Sequence, residues 1–134
     1  HKQATNVREG YVAFDDAIKQ ADIITLHCPL TDQTRDVIDE ATFAKMKPSA
    51  ILINTGRGGL VNETALVDAL KQQQIAGAGF DVATVEPMPK DHPLQAIAHY
   101  PNFILTPHVA WASHSAMTRL LQIACDNMAA FIDQ

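Results

Sequence analysis

Apolar and polar positions follow two rhythms along the 134 residues. Dense runs rich in β-branched residues recur at IITLHCP (23–29), AILINT (50–55), AGAGFDV (76–82) and FILTP (103–107), and predict four strands. YVAF (11–14) predicts a further short one. Between them the apolar spacing widens to that of helices, beginning with DDAIKQA (15–21). Asp39 stands where a cap is needed for EATFAKMK, with Phe43 and Met46 one turn apart and Pro48 beyond the end. Asn62 is placed to cap ETALVDALKQQQ, in which Leu66, Ala69 and Leu70 share one face. Ser113 opens a last helix whose Met117, Leu120, Leu121, Ala124, Met128 and Phe131 form a stripe. The proline-rich VEPMPKDHPLQAIAHYP reads as a loop, and the small residues of AGAG let a neighbouring chain segment come close.

Strands separated by helices of this length imply right-handed crossovers and a mostly parallel α/β sheet. Such sheets carry their chemistry beyond the carboxyl ends of the strands. The residues least expected of ordinary surface turns sit in those places: Cys28-Pro29, Thr55-Gly56-Arg57, Asp81, and Thr106-Pro107-His108.

Composition narrows the classes. Hydrophobic residues make up 47% of the chain, as in a folded globular protein. A net charge of −5 and the lack of a basic run argue against a nucleic-acid surface. No apolar stretch approaches the roughly 20 residues that cross a bilayer. Cys28 and Cys125 lie far apart, which suits reduced thiols and a cytoplasmic setting. The opening HKQATNVREG lacks the charge and apolar pattern of a signal peptide and suggests a piece of a longer protein.

Arg57 lies among Gly56, Gly58 and Gly59, directly after a strand. The glycines allow a close approach to the backbone, and a held guanidinium offers a fork of donors that fits a carboxylate. The same stretch equally describes an exposed turn arginine paired with an acidic neighbour. Glu86 and His108 each say little alone, being a solvated loop carboxylate and a single histidine. Together they have a definite chemistry. A carboxylate bonded to one imidazole nitrogen orients the ring and leaves the other nitrogen to pass a proton. Positions 57, 86 and 108 each follow a different strand, so convergence is expected. Asp81 serves either as an acceptor for a ligand amide or as a loop cap. Thr34 and Thr55 serve a ligand or their own backbone. GRGGLV and GAGFDV both fail the dinucleotide fingerprint at the last glycine, no histidine pair has i, i+4 spacing, Cys28 has no CxxC partner, and no GxSxG occurs. No metal site is expected.

Four segments, ADIITLHCPLTDQTRDVID, MKPSAILINTGRGGLVNETALVDAL, GAGFDVATVEPMP and NFILTPHVAWAS, in this order and spacing, resemble the D-isomer-specific 2-hydroxyacid dehydrogenases from about residue 11 onward. The wording HCPLT and HVAWAS leans to the glycerate dehydrogenase (hydroxypyruvate reductase) branch. The resemblance implies the C-terminal part of a Rossmann-type sheet with flanking helices, binding NAD, with NADP not excluded. It implies hydride transfer between that cofactor and a small 2-oxo or 2-hydroxy acid. By carry-over, Arg57 would hold the substrate carboxylate, His108 would exchange the proton, and Glu86 would hold His108. Asp81 would meet the nicotinamide carboxamide, and Cys28, Pro29, Thr34, Thr55, Gly56 and Ala110 would join Arg57 and His108 along the cofactor cleft.

Members of that family are much longer, and the resemblance implies that residues 1–134 are a partial NAD(P)-binding domain without the pyrophosphate loop and substrate domain. Three expectations follow: very weak NAD binding by this chain alone, a YVAF strand without its neighbour beside a bare sheet edge, and an exposed apolar stripe on the last helix. A homodimer is expected of the full-length protein. The alternative within the same scaffold is an NADH-sensing corepressor-like binding protein, which keeps the same Arg, Glu and His. A receiver-type signalling domain would need acidic residues after its first strand and a lysine after its last, and has neither.

Overall fold

The computed structural model describes Val7 and residues 9–132; most of HKQATNVREG, including His1, lies outside the described residues. The element order is α1 (Phe14–Gln20), β1 (Ile23–Leu26), α2 (Glu40–Phe43), β2 (Ile51–Asn54), α3 (Glu63–Lys71), β3 (Gly77–Phe80), β4 (Phe103–Leu105) and α4 (His114–Ile132). The strands form one parallel sheet in the order β1-β2-β3-β4, as the alternation predicts.

The caps are local and appear where expected. Asp39 accepts from the Thr42 N–H, Asn62 from the Ala65 N–H and Ser113 from the Ala116 N–H. Each satisfies an amide that a helix start leaves without a partner. Two expectations need correction. YVAF is not a strand: Phe14 begins α1, and residues 11–13 lead into it outside the described sheet. Asp15 and Asp16 follow at once and suit the first turn of a helix, whose N-terminus favours acidic side chains. The proline-rich loop also contains a 3₁₀ turn, Pro93–Ala96, capped by His92 and started by Pro93, whose missing N–H costs nothing at the first position of a turn.

The two faces of the sheet differ. Leu26, Leu52, Ala78, Phe80 and Phe103 point into a core closed by Ile18, Phe43, Leu66, Leu70, Leu94 and Ile97. α3 lies against α2 and against the Pro93–Ala96 turn on this side. The alternate residues form the other face. Register sets Ile51 beside Gly77, and Ile53, Gly79 and Ile104 side by side. A shallow apolar groove of about 250 Å³ runs along it, floored by Gly77 and Gly79 and walled by Ile51, Ile53 and Ile104. Gly77 has to be glycine, because a Cβ there would stand 2.8 Å from the Asn102 carbonyl oxygen. None of the described residues of α4 is buried, and its stripe is open, with Leu120 63% and Phe131 78% exposed.

Candidate active site

Four strands of equal direction bring their exit loops to one rim. The strands end at Leu26, Asn54, Phe80 and Leu105, so Cys28, Thr55 to Arg57, Asp81 and Thr106 to His108 follow within a few residues, and Thr34 and Glu86 lie further along the same exit loops.

The turn after β2 is built by a fully buried polar side chain. Asn54 accepts from the Gly56 N–H through Oδ1 (3.1 Å) and donates from Nδ2 to the Arg57 carbonyl (2.9 Å). The polar residue that ends an apolar run is thus the brace of the turn. Arg57 is exposed, and its guanidinium folds back to donate to the Gly56 carbonyl at 2.7 Å. Among the described residues it has no carboxylate partner, so the paired-arginine reading is not what the structure shows. Next to it, Gly58 touches the loop after β3: a Cβ at this position would lie 2.1 Å from the Ala83 carbonyl carbon. Two exit loops are therefore packed backbone to backbone.

The loop after β3 carries Glu86 to His108. His108 Nδ1 and Glu86 Oε2 are 2.6 Å apart, and the other Glu86 oxygen accepts the Ala83 N–H at 2.8 Å. The imidazole Nε2 keeps no partner among the described residues. His108 adopts φ 55°, a left-handed backbone that costs a non-glycine residue on the order of 1 kcal/mol or more. Its surroundings hold it there. Asp81, only 3% exposed, accepts the Val109 N–H (2.9 Å), the Ala110 N–H (2.8 Å) and the Thr106 hydroxyl. Trp111 Nε1 donates to the His108 carbonyl at 2.8 Å. Neither Thr106 nor Trp111 carries a sequence pattern that announces this.

The electrostatics follow from these bonds. Burial pushes the Asp81 carboxyl up, but the Thr106 hydroxyl, the Ala110 and Val109 amides and the charge of His108 outweigh it and leave it below its ordinary value. Glu86 is also held low, first by its bond to His108 and then by the Ala83 amide, against desolvation and the nearby Asp81. Both carboxyls thus have folded-state values below their unfolded ones. Their contribution to stability is present above about pH 4 and is lost as pH falls through the folded values. Asp81→Asn is expected to lower stability by about 1–3 kcal/mol at pH 7, since its NH₂ group replaces one of the two accepting oxygens and sets a donor against a backbone N–H that the oxygen had bonded. The gap to the parent chain should narrow at pH 3. Thermal unfolding at the two pH values measures it, and an equal gap at both would remove the charge from the account.

An open cleft of about 500 Å³ is lined by Asp81, Glu86, His108 and a mostly apolar remainder that includes Met88, Leu105 and Pro107. Arg57 does not line it. The structure therefore assembles two of the three expected catalytic side chains and leaves the third on the adjoining turn. Of the expected cofactor-cleft residues, Thr34 uses its hydroxyl locally, donating to the Pro29 carbonyl (2.7 Å) and accepting the Thr31 N–H. Thr55 is exposed at the rim, Cys28 is half-buried beside the exposed Pro29, and Ala110 offers its N–H to Asp81. No three His, Cys, Asp or Glu side chains cluster as a metal site among the described residues.

An open parallel sheet with a His–carboxylate pair at its carboxyl rim defines an α/β domain of the kind that handles a ligand across strand-exit loops. Comparison with known proteins makes this specific. Residues 1–110 match the model of the D-isomer specific 2-hydroxyacid dehydrogenase, NAD binding domain, and the chain belongs to that family. A provisionally named 2-hydroxyacid dehydrogenase of Haemophilus influenzae is 55% identical over all of this chain and 43% of its own length. The glycerate dehydrogenase of Methylorubrum extorquens is 52% identical over 93% of the chain and 40% of its own. The chain thus spans about two-fifths of the length of these curated relatives. The solved D-isomer specific 2-hydroxyacid dehydrogenase of Lactobacillus delbrueckii ssp. bulgaricus, in its NAD-complexed form, superposes with a TM-score of 0.84 at 34% identity, over 92% of this chain and 40% of that one.

Proposed function

We propose that this chain is part of the NAD-binding domain of a longer enzyme that reduces a small 2-oxo acid, hydroxypyruvate among them, to the D-2-hydroxy acid. The observation that carries the reading is the Glu86–His108 bond through Nδ1, which leaves Nε2 facing outward at the rim. When bound, NADH supplies the hydride. His108 Nε2 supplies the proton to the carbonyl oxygen as it gains charge, and takes it back in the reverse direction. Glu86 orients the ring through its bond to Nδ1. Arg57, without an acidic partner of its own, holds the substrate carboxylate once its side chain swings from the Gly56 carbonyl. Asp81 fixes the His108 loop, and its Oδ2, with one amide bonded, retains a lone pair for a carboxamide. The exposed Thr55 hydroxyl, Gly56 and the Cys28-Pro29 turn offer a rim that a dinucleotide can lie along, which fits the cofactor.

The reading includes a cytoplasmic homodimer. The cysteines are free, no described helix is long and apolar enough to cross a membrane, and the α4 stripe calls for a covering surface. No observation favours the corepressor-like alternative. The test is NADH oxidation by the full-length protein with hydroxypyruvate, glyoxylate and pyruvate; failure with all three 2-oxo acids sinks the proposal. Within it, Arg57→Lys is expected to raise KM for the acid about 10–100-fold, as a point charge replaces a bidentate fork worth roughly 1.5–3 kcal/mol per charged bond. An unchanged KM would assign the carboxylate to another residue.

A further inference from the structure

Below the Glu86 loop lies a second Glu–His pair that the proposed chemistry does not use. Glu63, the first residue of α3, and His92, the cap of the Pro93–Ala96 turn, are 8% and 6% exposed. Glu63 Oε2 meets His92 Nε2 at 3.2 Å, and Glu63 Oε1 accepts the Thr84 N–H at 2.7 Å. His92 Nδ1 accepts the Leu94 N–H, so Nε2 is the nitrogen that carries a proton toward Glu63. Both oxygens of a buried carboxylate are thereby satisfied, which such a group requires.

The placement of Thr84 gives this pair its consequence. Ala83 and Thr84 present consecutive backbone amides. One is held by Glu86 itself and the other by Glu63. The Ala83–Thr84 peptide is a rigid plane, and Gly58 abuts it. Its tilt is therefore set by Gly58 and Glu63, and that tilt aims the residue whose N–H bonds the Glu86 carboxylate. The line of bonds runs from His92 to Glu63, to Thr84 and Ala83, to Glu86 and on to His108. We propose that Glu63 and His92 are positioning residues for the His108–Glu86 pair, a buried clamp that holds the Ala83–Glu86 loop at the height where Glu86 meets His108. The inference deepens the function proposed above and rests on it only for the chemical role of His108.

Two substitutions of His92 in the full-length protein separate positioning from bulk structure. His92→Asn keeps an acceptor at the place of Nδ1, and with it the turn cap, but removes the donor to Glu63. His92→Gln carries an amide donor to the place of Nε2 and keeps it. The charged groups that face Glu86 are His108 and Asp81, and neither is altered. The expected result for His92→Asn is a higher pH for titration of the Glu86 carboxyl, read by ¹³C NMR, together with a fall in kcat of ~10–100-fold from misplacement. His92→Gln should restore both toward the parent values. A Glu86 titration that stays put in His92→Asn, or equal changes in the two variants, overturns the proposal whatever happens to the melting temperature. If His92→Asn does not fold, Glu63→Gln sets donor against donor at the same contact, and an unmoved Glu86 titration there overturns it equally. If the parent protein reduces no 2-oxo acid, the functional reading falls alone, because the NMR titration still decides the clamp.

Discussion

His108→Gln in the full-length protein is expected to lower kcat by about 10²–10⁴ while leaving NADH binding near its parent value, the span that a positioned proton donor typically contributes. The geometry explains why the loss should fall on the chemical step. Glu86 engages only Nδ1, so the ring is oriented by one nitrogen, and the proposed reaction assigns the proton to the other. Glutamine fills similar space and bonds Glu86, but its amide cannot give up a proton near neutral pH. Glu86→Gln should lose less, since the imidazole remains and only its orientation suffers. Steady-state kinetics with a 2-oxo acid, beside NADH fluorescence for binding, measures both. A loss below tenfold for His108→Gln would mean that the proton comes from another source.

Gly58→Ala should produce the largest loss of stability. The added Cβ would stand 2.1, 2.2 and 2.3 Å from the carbonyl carbon and oxygen of Ala83 and the nitrogen of Thr84. All three are backbone atoms of a loop tied down by Glu63 and by its own Glu86, so no rotamer change relieves the clash. Overpacking of this kind costs about 3 kcal/mol or more, equivalent to a fall in melting temperature of roughly 10 °C for a chain of this size. Gly59→Ala is the control. Its Cβ would approach only the Leu30 and Arg35 side chains, none nearer than 3.1 Å, and both can move. Equal melting temperatures for the two variants would show that the loops after β2 and β3 do not pack as described.

Features set by neighbouring residues were legible from the sequence. Asp39, Asn62 and Ser113 cap the helices that follow them because a cap bonds amides two or three residues away. The four strands and their carboxyl-end residues also follow from local composition, and with them which loops must share a rim. What escaped depends on partners distant in sequence. Tyr11–Ala13 has the composition of a strand but lies outside the described sheet, ahead of α1. Asp81 offered two roles, and the left-handed turn at His108, which exposes two successive amides, made it a cap. Glu63 reads as an ordinary first-turn acid, and only the return of the chain at Thr84 and His92 gives it partners.

The unequal faces of the sheet divide each strand between two masters. Leu52 and Phe80 answer to side chains, and Asn54 to backbone groups, within these residues, so changes there register in the chain's own unfolding. Ile51, Ile53, Gly79 and Ile104, one step along the same strands, face outward from that interior. A mutational survey of this chain by itself would score the isoleucines of that face as tolerant while Gly77, on the same face, would still reject a side chain because of the Asn102 carbonyl, so tolerance there would report exposure rather than unimportance.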